Sequence, residues 1–367
     1  MSRRYLITGA QGFVGRYLVA HLLNAESGAE ILGIGRSPAS DDRFTHAVHW
    51  GAVRLAAPLP RELDEVFSDR RYRYAAVDLR QRAELTRVIK DYRPEAVFHL
   101  AAALRDDPPE SLFRINVEGT IHLIEAIAES AIERPRLIFG SSGGVYGIPH
   151  GDALPLGESH PCRPIDFYSI SKLAAEQAAW ALARLYKIPL IVTRLFNLVG
   201  PGQDERHACG KFASTLAAIA ANQLPRQITV GALATTRDFL DVRDAAAALH
   251  LLSERGEAGA AYNVGSGNET GIGAVLAIAL RAAGLAGSVE VRAGANRALD
   301  IPRHFADIRR LKALGFRPRL SLERSIEDLF RYYFKTVADS ANRAALGRRG
   351  KAAGAGAFPL GDINEAG

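Results

Sequence analysis

Six short, β-rich apolar runs separated by stretches of helical period constrain this chain more than any other feature. The runs are Tyr5–Thr8, Glu30–Ile34, Tyr74–Asp78, Ala96–Leu100, Arg136–Gly140 and Leu190–Leu195. Helical patterns at Val14–Asn24, Ala83–Asp91, Ser111–Ser130 and Tyr168–Tyr186 lie between most of them. Parallel strands cannot be joined by a tight turn and need a crossover, usually a helix. The alternation therefore predicts an α/β fold on a doubly wound parallel sheet.

After Gly200-Pro201-Gly202 the rhythm loosens into a helix at Lys211–Asn222, a strand at Gln227–Val230, a helix at Val242–Arg255 and a strand at Ala261–Val264. A further helical run is expected at Ser321–Ala345, beyond Pro318. This suggests a smaller α/β lobe over residues 197–345, with some segments returning to the first unit (residues 1–196). Asp41–Arg73, rich in Arg, Pro and Ala with poor periodicity, reads as an insertion or long loop. Residues 346–367, dense in Gly and Ala, read as a flexible tail.

Composition removes several alternatives. Of the 367 residues, 48% are hydrophobic and 23% charged, so a packed core is affordable and disorder is excluded as the main state. Two cysteines cannot make a disulfide framework, which points to a reducing, cytoplasmic setting. No run approaches the roughly 18 apolar residues of a membrane span, and the start MSRRYLITGA lacks the form of a signal peptide. The net charge of +6 is partly a tail effect, since Arg343, Arg348, Arg349 and Lys351 oppose only Asp362 and Glu365. What remains is weak grounds for a nucleic-acid partner, and small anionic ligands fit better.

The strongest local signal is Thr8-Gly9-Ala10-Gln11-Gly12-Phe13-Val14-Gly15, directly after the first strand and opening the first helix. Glycines there let backbone N–H groups approach a pyrophosphate, and the helix terminus adds partial positive charge. At the end of the second strand an NAD site would place an acid for the ribose 2′-hydroxyl. This chain has Arg36 and Ser37 instead. A guanidinium fork suits a 2′-phosphate, so NADP is expected and NAD is the alternative.

Two hydroxyls and an amine supply the candidate chemistry. Tyr168 and Lys172 stand four apart on a predicted helix and so share a face. An ammonium beside a phenol favours phenolate and draws its pKa toward working pH. Upstream, Ser141-Ser142-Gly143-Gly144-Val145-Tyr146-Gly147 closes a predicted strand.

The Gly-x-x-Gly-x-x-Gly spacing, the strand-end serine and the Tyr/Lys pair, in this order, resemble the extended short-chain dehydrogenase/reductase superfamily. The similarity is to its nucleotide-sugar-modifying epimerase/dehydratase branch. That resemblance implies a Rossmann-type dinucleotide-binding domain and a lobe that holds a nucleotide sugar. It maps the catalytic hydroxyl to Ser142 and places Gly9, Gln11, Gly12, Phe13, Val14, Gly15, Asp78, Leu79, Leu100, Ala101, Ala102 and Asn116 around the dinucleotide. Tyr168 and Lys172 would touch the nicotinamide half as well as serve catalysis. Asn197, Arg237 and Arg303 match diphosphate-binding positions, and no metal is assigned.

Relatives that dehydrate sugars carry an acidic pair after the catalytic hydroxyl, where this chain has Gly143 and Gly144. The expectation is NADPH-dependent reduction of a nucleotide-linked 4-keto-6-deoxy sugar. The alternative is an NAD-dependent 4-epimerase, and a silent dinucleotide-binding protein stands third. The family also implies a homodimer through the Ser111–Ser130 and Tyr168–Tyr186 helices.

Overall fold

Alternation along the first strand already sets two layers of core. In β1 (Arg3–Thr8) the side chains of Tyr5 and Ile7 enter one buried cluster and Leu6 enters the other. This is the period of two expected of a strand covered on both faces. The computed structural model describes residues 3–336 except 40–41, 51–52, 65, 131–132, 150–152 and 295–300. The tail and the end of the Ser321–Ala345 helical run therefore lie outside the described residues; the helix itself is seen from 322 to 336.

From β1 the chain forms α1 (Phe13–Ala25) and β2 (Ala29–Gly35), and then a hairpin of β3 (Arg43–Trp50) and β4 (Val53–Pro58). A short helix α2 (Arg61–Asp64) leads to β5 (Tyr72–Ala76), α3 (Arg82–Tyr92) and β6 (Ala96–His99). Next come α4 (Pro109–Leu112), a π-helical segment (Phe113–Glu118), α5 (Gly119–Ser130), β7 (Arg136–Ser142), α6 (Phe167–Tyr186) and β8 (Leu190–Leu195). Six of these strands, with β13 (Ala260–Val264) from later in the chain, build a seven-stranded sheet in the order β13-β8-β7-β6-β1-β2-β5, every pair parallel. The fold is the doubly wound Rossmann type.

The second half supplies β9 (Asn197–Val199), α7 (Ala208–Ala220), β10 (Gln227–Val230), β11 (Thr236–Arg237), β12 (Phe239–Asp241) and α8 (Val242–Arg255). Strand β13 (Ala260–Val264) then returns to the edge of the large sheet beside β8. β14 (Thr270–Gly271), α9 (Ile272–Ala282), β15 (Glu290–Ala293), β16 (Arg303–His304) and α10 (Arg309–Ala313) complete it. Small sheets β10-β15, β14-β11-β16 and β12-β9 carry the loops that face the main sheet's open end.

Two expectations need correction. Asp41–Arg73 is not a loop: most of it is the β3/β4 hairpin and α2, because Phe44, Val48, Ala57 and Leu59 bury their side chains. Strand β5 begins and ends two residues early, so Asp78 follows the strand instead of closing it. In α5, Ile124 and Ile127 are fully buried within the chain, where the helix packs on α3 and α6. Among the described residues no helix is long and apolar enough to cross a membrane.

Candidate active site

Strand order reverses at β1, which has β2 on one side and β6 on the other. Chains of this topology bind ligands at that switch point, beyond the carboxyl ends of the strands. Here a cleft of about 980 Å³ opens there.

The glycine loop owes its shape to steric necessity. Gly9 has φ 70°, and a Cβ on it would stand 2.8 Å from the backbone of Ala101. A Cβ on Gly15 would stand 2.2 Å from the Gly9 carbonyl oxygen. Only glycine lets α1 start this close to the strand it leaves. Gly12 is the N-cap of α1 and offers no side-chain cap, and the first turn holds no acid. The helix thus turns an uncompensated positive end toward the cleft, which Gly12, Phe13 and Val14 line. Thr8 fastens the opposite wall: its Oγ1 accepts from the Ala101 N–H at 3.1 Å and bonds His99 Nδ1 at 2.8 Å.

Gly9, Gln11, Gly15, Arg36, Ser37, Asp78, Leu79, Leu100, Ala101 and Ala102 all line this cleft. Arg80 pairs with Asp78 at 2.6 Å and holds its carboxyl below the usual range, with Arg36 adding to the effect. No acid takes the position of Arg36 at the end of β2. This set fits a dinucleotide phosphate: a positive helix end, a glycine cradle and a guanidinium at the ribose end. Asn116 does not line the cleft. It is buried, accepts from the Ala103 N–H at 2.8 Å and donates to Ser171 Oγ at 2.9 Å, so it ties the Leu100–Ala103 turn to α6.

Ser142 ends β7 and caps the following turn by accepting from the Gly144 N–H at 3.1 Å. Its hydroxyl stands near enough to the Tyr168 phenol to lower that phenol's pKa, and both line the cleft. Burial raises the Tyr168 pKa, and Arg105 and the Ser142 hydroxyl act against that rise. Lys172 is buried one turn further along α6, with its ammonium 4.9 Å from the Phe139 ring centroid, and it is not among the residues that line the cleft. Burial pushes Lys172 down to about 8, opposed by Glu176.

Beneath these groups runs a buried polar network. Glu176 receives Arg194 Nη2 at 2.6 Å and Ser141 Oγ at 2.7 Å, and Arg194 also donates to the Tyr146 hydroxyl at 2.9 Å. Tyr146 in turn donates to Asn263 at 2.7 Å. The network joins β7, α6, β8 and β13, and so fixes the loop that carries Ser142.

At the far end, Asn197 and Arg237 line the cleft. Arg237 donates to the Thr236 and Ile301 carbonyls at 2.7 and 2.6 Å. Arg303 is not brought in: Glu269 takes its guanidinium with two bonds of 2.7 Å, and it does not line the cleft. Its neighbour His304 does line it, bonded to the Gly143 carbonyl at 3.1 Å and pushed down to about 4 by burial.

Sequence reasoning missed several lining residues. Thr45 and His46 reach the cleft from the hairpin; Thr45 N–H donates to the Gln11 carbonyl at 3.2 Å and His46 Nε2 bonds the Gly202 carbonyl at 2.7 Å. The buried alternation Phe44, Val48 was the signal. Arg105 was also missed, although it directly follows the Leu100–Leu104 stretch.

A parallel sheet with a glycine cradle at its switch point, and Ser142 and Tyr168 lining the same cleft, is the architecture of a dinucleotide-dependent enzyme. Residues 5–265 match the model of the NAD-dependent epimerase/dehydratase family, and the chain belongs to that family. It is 31% identical to a GDP-6-deoxy-D-mannose reductase of Pseudomonas aeruginosa over 277 residues, 73% of this chain and 76% of the relative. It is 32% identical to a dTDP-glucose 4,6-dehydratase of Neisseria gonorrhoeae over 279 residues, 73% and 74% of the two chains. A putative UDP-glucose 4-epimerase of Methanocaldococcus jannaschii is 29% identical over 88% of this chain and 95% of its own. Among solved structures, RMD from Pseudomonas aeruginosa complexed with NADPH superposes with a TM-score of 0.72 at 27% identity, covering 91% of this chain and all of that one. The chain is accordingly an NAD(P)-dependent enzyme of a family that contains nucleotide-sugar reductases, dehydratases and epimerases.

Proposed function

We propose that this enzyme uses NADPH to reduce the 4-keto group of a nucleotide-linked 6-deoxy sugar, of the GDP-4-keto-6-deoxymannose type. The observation that carries the reading is the Ser142–Tyr168 hydroxyl pair facing the same cleft as Arg36. This cleft would hold a reduced nicotinamide, which would be the source of hydride. Tyr168 donates a proton to the keto oxygen, and Ser142 holds that oxygen by its hydroxyl. Arg36 would hold a 2′-phosphate with its guanidinium fork, with Ser37 beside it. Asn197 and Arg237 hold the sugar diphosphate, while Arg303 stays with Glu269.

Elimination of water is disfavoured locally. A carboxylate cannot replace Gly144 without displacing Ser169, whose Oγ lies 2.5 Å from where a Cβ would stand. At Gly143 a Cβ would press the Phe196 ring at 3.1 Å. Free Cys162 and Cys209 suit the reducing cytoplasm in which we place the enzyme. The test compares steady-state turnover of wild type and Tyr168→Phe with NADPH and this keto sugar. Loss of roughly 10²–10⁴ is expected; equal rates would remove Tyr168 from the mechanism. If the epimerase reading were right, the denatured protein would release stoichiometric NAD. An exchangeable NADP(H) is expected instead.

A further inference from the structure

The β3/β4 hairpin is bonded to both halves of the molecule. On the dinucleotide side the Thr45 N–H donates to the Gln11 carbonyl at 3.2 Å, and Arg16 Nη2 donates to the Arg43 carbonyl at 2.9 Å. The Phe44 and Phe13 ring centroids lie 6.2 Å apart there. On the other side His46 Nε2 bonds the Gly202 carbonyl at 2.7 Å, and the His49 N–H donates to Glu205 Oε1 at 2.6 Å. Ser214 Oγ, on α7, donates to the His49 carbonyl at 2.9 Å. These bonds fix the hairpin beside the glycine loop. Along β3, Phe44 and Val48 are buried, so Thr45 belongs to the opposite, outward face. It is exposed, and it lines the cleft together with Gln11, Gly12, Phe13 and Val14. Its hydroxyl has no hydrogen-bond partner among the described residues.

We propose that Thr45 is a further cofactor-binding residue, whose hydroxyl donates to the dinucleotide pyrophosphate drawn to the α1 N-terminus. The assignment rests on the cleft being the dinucleotide site. It needs neither the keto-sugar substrate nor the selection of NADPH by Arg36.

Pyrophosphate oxygens are acceptors only, so the wall that meets them must donate. At the α1 terminus the donors are backbone N–H groups, because the N-cap is Gly12. Two hairpin residues line the same cleft, and they differ in what they have left to give. His46 has already committed Nε2 to the Gly202 carbonyl. Thr45 is bonded through its backbone to Gln11, inside the glycine loop, and keeps its hydroxyl for a ligand. Because the residue is exposed on a strand, valine can replace it without opening a hole in the core. Valine keeps the β-branched shape that suits the strand and removes only the donor.

The test is calorimetric titration of the full chain with ADP-ribose, which carries the pyrophosphate without nicotinamide or 2′-phosphate. Wild type, Thr45→Val and Thr45→Ser are compared. Thr45→Val should raise the Kd about tenfold, as expected for a lost hydrogen bond to a charged oxygen. Thr45→Ser keeps the hydroxyl and should bind close to wild type. Phosphorus NMR of bound NADP⁺ then locates the contact. Thr45→Val should move the pyrophosphate resonances and leave the 2′-phosphate resonance in place. Equal affinity of wild type and Thr45→Val for ADP-ribose overturns the proposal. So does an equal loss in Thr45→Val and Thr45→Ser, or a pyrophosphate signal that does not move. Because no sugar is present, inactivity on every keto sugar would fail the reductase reading and leave this result standing.

Discussion

Glu176→Gln is the perturbation whose cost the structure specifies best. The carboxylate is fully buried, and its partner Arg194 is only 8% exposed. Both oxygens are used: Oε1 by Arg194 Nη2, Oε2 by Ser141 Oγ and by Arg194 Nε at 3.3 Å. Burial opposes the Arg194 charge, but the Glu176 hydrogen bonds raise its pKa well above the ordinary value. A glutamine would leave that guanidinium without a counter-charge and turn an amide N–H₂ toward donors. Breaking one side of a buried pair costs about 3–5 kcal/mol. An exposed pair costs no more than about 1 kcal/mol, so the two cases separate cleanly.

Urea unfolding followed by circular dichroism measures the loss. Arg194→Met in the same background should return a large part of it, because the stranded charge is then gone. The same carboxylate opposes the fall of Lys172 to about 8. Without it the Lys172 pKa falls further, so any alkaline limb of activity set by the ammonium should move to lower pH. The sign for stability follows. The folded-state value lies below the unfolded one near 10.4, so the unfolded chain binds more protons between about pH 8 and 10.4. Stability owed to Lys172 should therefore rise with pH in that window. A loss below about 1 kcal/mol in Glu176→Gln would refute the reasoning.

Arg36→Asp should weaken NADPH about 10–100-fold and move preference toward NADH, as kinetics with both cofactors on both proteins would show. An unchanged ratio makes Arg36 a solvated loop residue. Gly15→Ala places a methyl 2.2 Å from the Gly9 oxygen. It should abolish stabilisation of the melting temperature by NADPH; a normal shift would contradict the role given to that contact. A homodimer should pair through α6, which exposes Phe167 (59%) and Leu185 (67%). Light scattering should give the dimer mass for wild type and a monomer for Leu185→Glu, and a wild-type monomer ends the idea.

Much of the sheet was legible because its strands are buried on both faces and read as apolar runs. Gln227–Val230 and Val242–Arg255 have the bounds read from sequence. The hairpin was hidden because only alternate residues such as Phe44 and Val48 are buried, between Arg and His that face outward. Spacing correctly put Tyr168 and Lys172 on one helix, but it could not say that Lys172 turns to Phe139 while Arg105 arrives from another loop. Arg303 matched a motif, yet its charge is taken by Glu269, 34 residues away in sequence. Such pairings depend on which loops the fold brings together.

The central claim is that hydride reaches a sugar carbon in this cleft, and isotope transfer tests it most directly. The enzyme would be incubated with GDP-4-keto-6-deoxymannose and NADPH deuterated at the transferable nicotinamide position. The account predicts a reduced sugar carrying deuterium at C4, formed in step with loss of the nicotinamide absorbance. Unlabelled sugar with the nicotinamide unconsumed, across this and other nucleotide-linked keto sugars, would contradict it.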